Sequence, residues 1–116
     1  MLDAAFRVDK EMGPGLFESI YQCCFVDELR SREIFIEEQV QVPLCYKGKN
    51  LNKNFYLDIL VSGEIIVEVK AVVALLPVHQ AQIISYLKLT NKKLGFLINF
   101  NVPLIKEGFH RFVNNF

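Results

Sequence analysis

Two apolar runs on either side of a three-residue turn constrain this chain more than any other stretch: Tyr56-Leu57-Asp58-Ile59-Leu60-Val61, then Ser62-Gly63-Glu64, then Ile65-Ile66-Val67-Glu68-Val69-Lys70. Runs this rich in Ile, Val and Leu, bounded by a Ser-Gly signal, predict two β-strands joined as a hairpin. Strand side chains alternate between faces. Centring the pairing on Gly63 sets Asp58 opposite Glu68, on one face with Leu60 and Ile66. It gathers Leu57, Ile59, Val61, Ile65, Val67 and Val69 on the other face, all of them apolar. A slip of one residue would mix the two sets, so the hydrophobic pattern itself specifies the register.

The flanking sequence supplies helices and further strands for this hairpin. Weak helical periodicity runs through residues 2–12 and is broken by Gly13-Pro14-Gly15. Residues 16–32 then predict a strong helix, with Leu16, Phe17, Ile20, Cys24, Phe25 and Leu29 on neighbouring turns. Residues 34–46 predict a long strand in which Pro43 marks an edge or a bulge, followed by a polar turn at Lys47-Gly48-Lys49-Asn50. Pro77 suits the first turn of a helix reaching about Thr90. Residues 93–100 predict a last strand, and Phe109, Phe112 and Val113 suggest a short terminal helix. The expected order is α-β-β-β-α-β, an α/β fold with a mixed central sheet flanked by helices, in a single domain spanning residues 1–116.

Fifty-two per cent hydrophobic residues favour a packed core over a disordered chain. Thirteen basic and thirteen acidic residues cancel, which argues against tight, metal-free coating of nucleic acid, because that affinity comes from neutralised phosphates. The modest charged fraction leaves room for a covered surface, such as a homodimer interface. Cys23, Cys24 and Cys45 form no C-x-x-C and are an odd count; adjacent Cys23 and Cys24 read as small buried hydrophobes on a helix, and the cytoplasm is the expected compartment. The first residues lack the pattern of a signal peptide, and no apolar run approaches the roughly 20 residues of a membrane helix.

Asp58, Glu68 and Lys70 are costly on apolar strands unless they hold a metal or one another. Mg²⁺ or Mn²⁺ prefers oxygen donors, which Asp58, Glu68 and the Val69 carbonyl would supply. Such a metal acidifies a bound water and stabilises charge on a phosphate, while Lys70 would orient or deprotonate the water, or neutralise the phosphorus-centred charge. Two helices bring candidates of their own. Glu18, Tyr21 and Gln22 share one face of the first, and His79, Gln82 and Tyr86 form a polar stripe on the second. The bland alternative makes each of these a solvated or partner-facing side.

Several of these segments resemble one family in order. Gly15-Leu16-Phe17-Glu18-Ser19-Ile20-Tyr21 resembles the motif of the GxxExxY family, a branch of the PD-(D/E)XK nuclease superfamily. Asp58, Glu68-Val69-Lys70, Pro77-Val78-His79-Gln80-Ala81-Gln82, Tyr86-Leu87 and Gly95-Phe96-Leu97-Ile98-Asn99-Phe100 resemble its later blocks. Leu57 stands where that family usually has proline. The resemblance implies a restriction-endonuclease-like core and a Mg²⁺- or Mn²⁺-dependent nuclease acting on DNA. It makes Asp58, Glu68 and Lys70 catalytic, places Glu18 near the metal, and assigns Gln82 and Tyr86 to the site or to nucleic acid. It also includes His79, which we expect at the nucleic-acid surface. The alternative is a catalytically silent nuclease-fold module that binds nucleic acid or a partner protein.

Overall fold

The hairpin forms in the register that its hydrophobic pattern specifies. In the computed structural model, β2 (Lys49–Val61) and β3 (Ile65–Lys70) pair antiparallel as Ile59↔Val67, Leu60↔Ile66 and Val61↔Ile65, closed by the turn at Ser62-Gly63-Glu64. The structure describes residues 1–114; Asn115 and Phe116, the last positions of the expected domain, lie outside the described residues.

Around the hairpin stand α1 (Leu2–Met12), α2 (Glu18–Ser31), β1 (Ile36–Tyr46), α3 (Pro77–Thr90), β4 (Leu94–Asn99), α4 (Ile105–Gly108) and β5 (Phe109–Val113). The sheet runs β1-β2-β3-β4-β5. All neighbouring pairs are antiparallel except β3 and β4, which are parallel and joined through α3. This is the mixed α/β sheet flanked by helices that the sequence implied. Pro43 sits on the edge strand β1, beside a register shift between Pro43 and Cys45, as a residue without an amide hydrogen should.

Each face of the sheet has its own core. On one, α1 and α2 bring Ala4, Ala5, Val8, Tyr21, Phe25 and Leu29 against Ile59, Val61, Val67, Val69 and Ile98. On the other, Ile83 and Leu87 of α3 cover Leu57, Leu60, Ile66 and Leu97. Gly95 lets α3 approach closely, since a Cβ there would lie 3.1 Å from the Ile83 side chain.

Leu57 departs from the expected face. It packs with Leu60 under α3, not with Ile59 under α2. The alternation reverses at Asp58 and at Gln39 across from it. Gln39 has φ 48°, and the ladder skips this pair while keeping Glu38↔Ile59 and Val40↔Leu57 on either side. A left-handed residue interrupts the pleat, so Ile36 faces α2 whereas Val40 and Val42 face α3.

Three further expectations are corrected. The polar turn shrinks to Lys47 and Gly48, both at positive φ as a two-residue hairpin loop requires, and β2 begins at Lys49. Residues 109–113 form a strand, because pairing with the open edge of β4 outweighs a weak local helical pattern. The adjacent cysteines are not buried: Cys23 is exposed and Cys24 is half-buried, while Tyr21, Phe25, Val26 and Leu29 provide the inner face of α2. No helix among the described residues is long and apolar enough to cross a membrane.

Candidate functional site

The carboxylates meet where the hairpin ladder ends. Beyond Ile59↔Val67 the strands stop exchanging backbone hydrogen bonds, and two side chains take over. The Asp58 amide donates to Glu68 Oε2 at 3.1 Å, and the Val69 amide donates to Asp58 Oδ2 at 3.2 Å. The carboxylates thus satisfy amides that the parting strands would otherwise leave open. Asp58 is half-buried, whereas Glu68 is only 3% exposed.

That placement has an electrostatic consequence. Burial pushes the Glu68 carboxyl up to about 9, and the Asp58 carboxylate beside it, through hydrogen bonding and charge, pushes the same way; the Asp58 amide and Lys70 oppose only part of this. Two adjacent carboxylates, one of them buried, cannot both ionise cheaply, so the pair retains a proton or takes up a cation. Lys70 ends β3, half-buried, and its carbonyl accepts from the Phe100 amide at 3.0 Å. Asn99, its partner across β4, is a buried polar residue that holds Val72 through both its amide and its carbonyl. The chain leaving Lys70 is therefore pinned on two sides.

Glu18 joins from α2. Partial desolvation raises its carboxyl; the charges of Lys70 and His79 pull it down, and that of Asp58 pushes it up. Those couplings place it in the same electrostatic neighbourhood as the hairpin. The seven residues that begin at Gly15 set its position. Tyr21, fully buried, donates its hydroxyl to the Gly13 carbonyl at 2.6 Å and accepts from the Leu16 amide at 3.0 Å. Its ring stacks on Phe100, with centroids 5.0 Å apart and planes 8° off parallel. Tyr21 therefore clamps the loop that begins α2 and stays out of the site, although helical spacing grouped it with Glu18. Gln22 does reach the hairpin, donating from Nε2 to the Asp58 carbonyl at 3.3 Å.

The α3 stripe is brought alongside. Lys70, Val78, His79, Ala81, Gln82 and Ser85 line a recess of about 550 Å³. Gln82 donates to the Tyr86 hydroxyl at 2.9 Å. Burial raises the Tyr86 hydroxyl, with the charges of Glu68 and Asp58 adding to it and the Gln82 hydrogen bond opposing. Tyr86 also stacks on Phe55 at 4.9 Å, a contact that sequence reasoning missed because Phe55 lies outside the hairpin's apolar run. His79 has a structural duty: its Nδ1 accepts from the Leu76 amide at 2.9 Å, while its own amide donates to the Leu76 carbonyl. Its imidazole thereby caps α3 in the manner of an N3 acceptor.

The donor set suits a hard divalent cation, being two carboxylates in contact with a third nearby. It is not a finished cage: among the described residues no three His, Cys, Asp or Glu side chains gather closely enough to hold a metal. Asp58 and Glu68 meet directly, and Glu18 is linked to Asp58 by charge alone.

A five-stranded mixed sheet that parts around an aspartate, a buried glutamate and a lysine, with helices on both faces, defines a restriction-endonuclease-like domain. Comparison with family models agrees, and the chain belongs to the PD-(D/E)XK nuclease superfamily, whose model matches residues 1–112. No match was found among curated proteins or among solved structures.

Proposed function

We propose that the protein is a metal-dependent nuclease that hydrolyses phosphodiester bonds in DNA, with residues 1–116 acting as one domain of the GxxExxY branch. The observation that carries this reading is the Asp58–Glu68 contact at the end of the β2–β3 ladder, where burial and mutual repulsion favour neutralisation by a cation. Asp58, Glu68, Glu18 and the Val69 carbonyl would hold Mg²⁺ or Mn²⁺. Bound there, the ion would acidify a water and stabilise charge on the phosphate.

The chain's own residues do the rest. Lys70, at the rim of the recess and within the field of Glu18, orients the attacking water and balances charge on the phosphate. Gln82 and Tyr86 form a hydrogen-bonded pair that lines the approach for nucleic acid. His79 contributes by fixing the start of α3, and it lines the same recess. A second copy would suit the apolar surface around Leu2, Phe6 and Leu104, which are 44%, 55% and 56% exposed and line a recess between α1 and α4. The cytoplasm remains the compartment that fits three unpaired cysteines.

The test is cleavage of single-stranded, duplex and branched DNA with Mg²⁺ or Mn²⁺, together with Mn²⁺ binding. Lys70→Ala should abolish turnover and leave Mn²⁺ binding in place, while Asp58→Ala should abolish both. Equal behaviour of the parent and Lys70→Ala on every substrate would favour the silent binding module.

A further inference from the structure

The β1–β2 ribbon continues far past the point where the rest of the sheet supports it. β3 pairs with β2 only from Ile59 to Val61, and α3 covers the ribbon root through Val40, Val42, Phe55 and Leu57. From Cys45 to Asn54 every residue is exposed, on a molecule whose longest axis is 45 Å against 32 and 26 Å for the others.

Charge on this projection is one-sided. Between Gln39 and Leu57 the sequence has Lys47, Lys49 and Lys53 and no Asp or Glu. Because the whole chain is neutral, everything outside that stretch carries a net −3. The cations are thus separated from an otherwise acidic body. The ribbon is built to hold its course. Lys47 and Gly48 form its tight tip, Asn52 at φ 56° bends β2 with its amide donating to Asn50 Oδ1, and Phe55 stacked on Tyr86 fixes the root against α3.

We propose that this ribbon is a cationic arm that grips the phosphate backbone of duplex DNA to one side of the Asp58–Glu68 site. The inference rests on the nucleic-acid reading of that site and deepens it. A two-stranded ribbon is narrow enough to enter a major groove. Lys53 and Lys49 lie five and nine residues from Asp58 along β2. The ladder sets Lys49 opposite Tyr46, and the extra β2 residues at the bulge between Asn50 and Asn54 add no length, so at about 3.3 Å per paired residue the lysines lie roughly 15 to 23 Å from it. On one DNA strand that distance covers roughly four to seven phosphates, at about 3.4 Å of helix axis each. Lysines on an edge ribbon also discourage strand pairing between molecules, and that role predicts no effect on DNA.

The two roles separate by salt dependence. In a Lys70→Ala background, which removes turnover, binding of a fluorescein-labelled 24-base-pair duplex is followed by anisotropy from low to moderate salt. The Lys47→Gln/Lys49→Gln/Lys53→Gln variant should reduce the slope of log K against log salt by about 2 to 3, near 0.9 for each lost phosphate contact. Lys10→Gln/Lys93→Gln/Lys106→Gln, exposed lysines elsewhere, should leave the slope unchanged. An unchanged slope in the arm variant overturns the proposal, as does absence of duplex binding by the parent, or a change confined to oligomeric state in sedimentation. The nuclease reading is scored apart: an arm-dependent slope without any cleavage by wild type keeps the arm and removes the enzyme. Lys70-dependent cleavage with an arm-independent slope does the reverse.

Discussion

Replacing Glu68 by glutamine should stabilise the metal-free protein at neutral pH, and the structure says by how much. The Glu68 carboxyl is raised from an ordinary 4.5 to about 9 by burial and by the Asp58 carboxylate against it. The unfolded chain releases this proton near 4.5, whereas the folded chain holds it to about 9. Between those values the unfolded state binds fewer protons, so stability is full below about pH 4.5 and declines as pH rises, by up to about 1.4 kcal/mol per unit for this one group. By pH 7 the accumulated loss is about 3 kcal/mol. Glutamine copies the protonated acid: its oxygen can accept from the Asp58 amide, and its nitrogen can donate to the Asp58 carboxylate. Glu68→Gln therefore removes the titration while keeping the shape. Urea unfolding in the presence of a chelator, at unit steps from pH 5 to 7, should show wild type losing stability relative to the variant by about 2–3 kcal/mol. Titrating groups remote from the site cancel in that difference. Parallel pH profiles would refute the reasoning, since they would mean that Glu68 ionises freely in the folded protein.

Three more outcomes test the supports of the site. Tyr21→Phe removes the hydroxyl that joins Gly13 to Leu16 and should cost about 1–2 kcal/mol in urea unfolding, while weakening Mn²⁺ binding less than Glu18→Gln does. Phe55→Ala removes the stack on Tyr86 and should destabilise by about 2 kcal/mol, with a change in tyrosine fluorescence reporting the freed phenol. Gly108→Ala drives a Cβ into the Asn99 carbonyl, a backbone atom that cannot step aside; a loss of at least about 2 kcal/mol should appear as a lowered Tm, and Gly108→Ser should fare no better.

The hairpin register was legible because one pairing alone separates apolar from acidic residues, and the structure pairs Ile59, Leu60 and Val61 in that register. The two flanking helices were legible from periodicity and from Pro77. What the sequence hid has physical causes. Leu57 changes face because Gln39 adopts a left-handed conformation, and nothing in the glutamine side chain announces that. Residues 109–113 form a strand only because β4 offers an edge, which is a tertiary fact. His79 and Tyr21 match motif positions, yet their hydrogen bonds tie down backbone at the start of α3 and ahead of α2. A polar stripe at helical spacing cannot distinguish a group that works on a ligand from one that holds its own helix. Asn99 was the accessible clue that went unused, as an amide amid Leu97, Ile98 and Phe100 must have a buried partner.

The interruption at Asp58 connects features that otherwise look independent. Had β1, β2 and β3 kept regular pairing through this level, the Asp58 and Val69 amides would bond to neighbouring strands and leave the carboxylates no donors. Because Gln39 breaks the pleat and the β2–β3 ladder stops at Ile59, those amides turn to Glu68 and Asp58 instead. The same reversal puts Val40, Val42 and Leu57 under α3, which anchors the outgoing ribbon beside Tyr86 and the recess. One local backbone event thus draws two carboxylates together and roots the lysine-bearing arm next to them. Loss of that event would damage the carboxylate pair and the aim of the arm at once, even though Gln39 itself carries no chemistry.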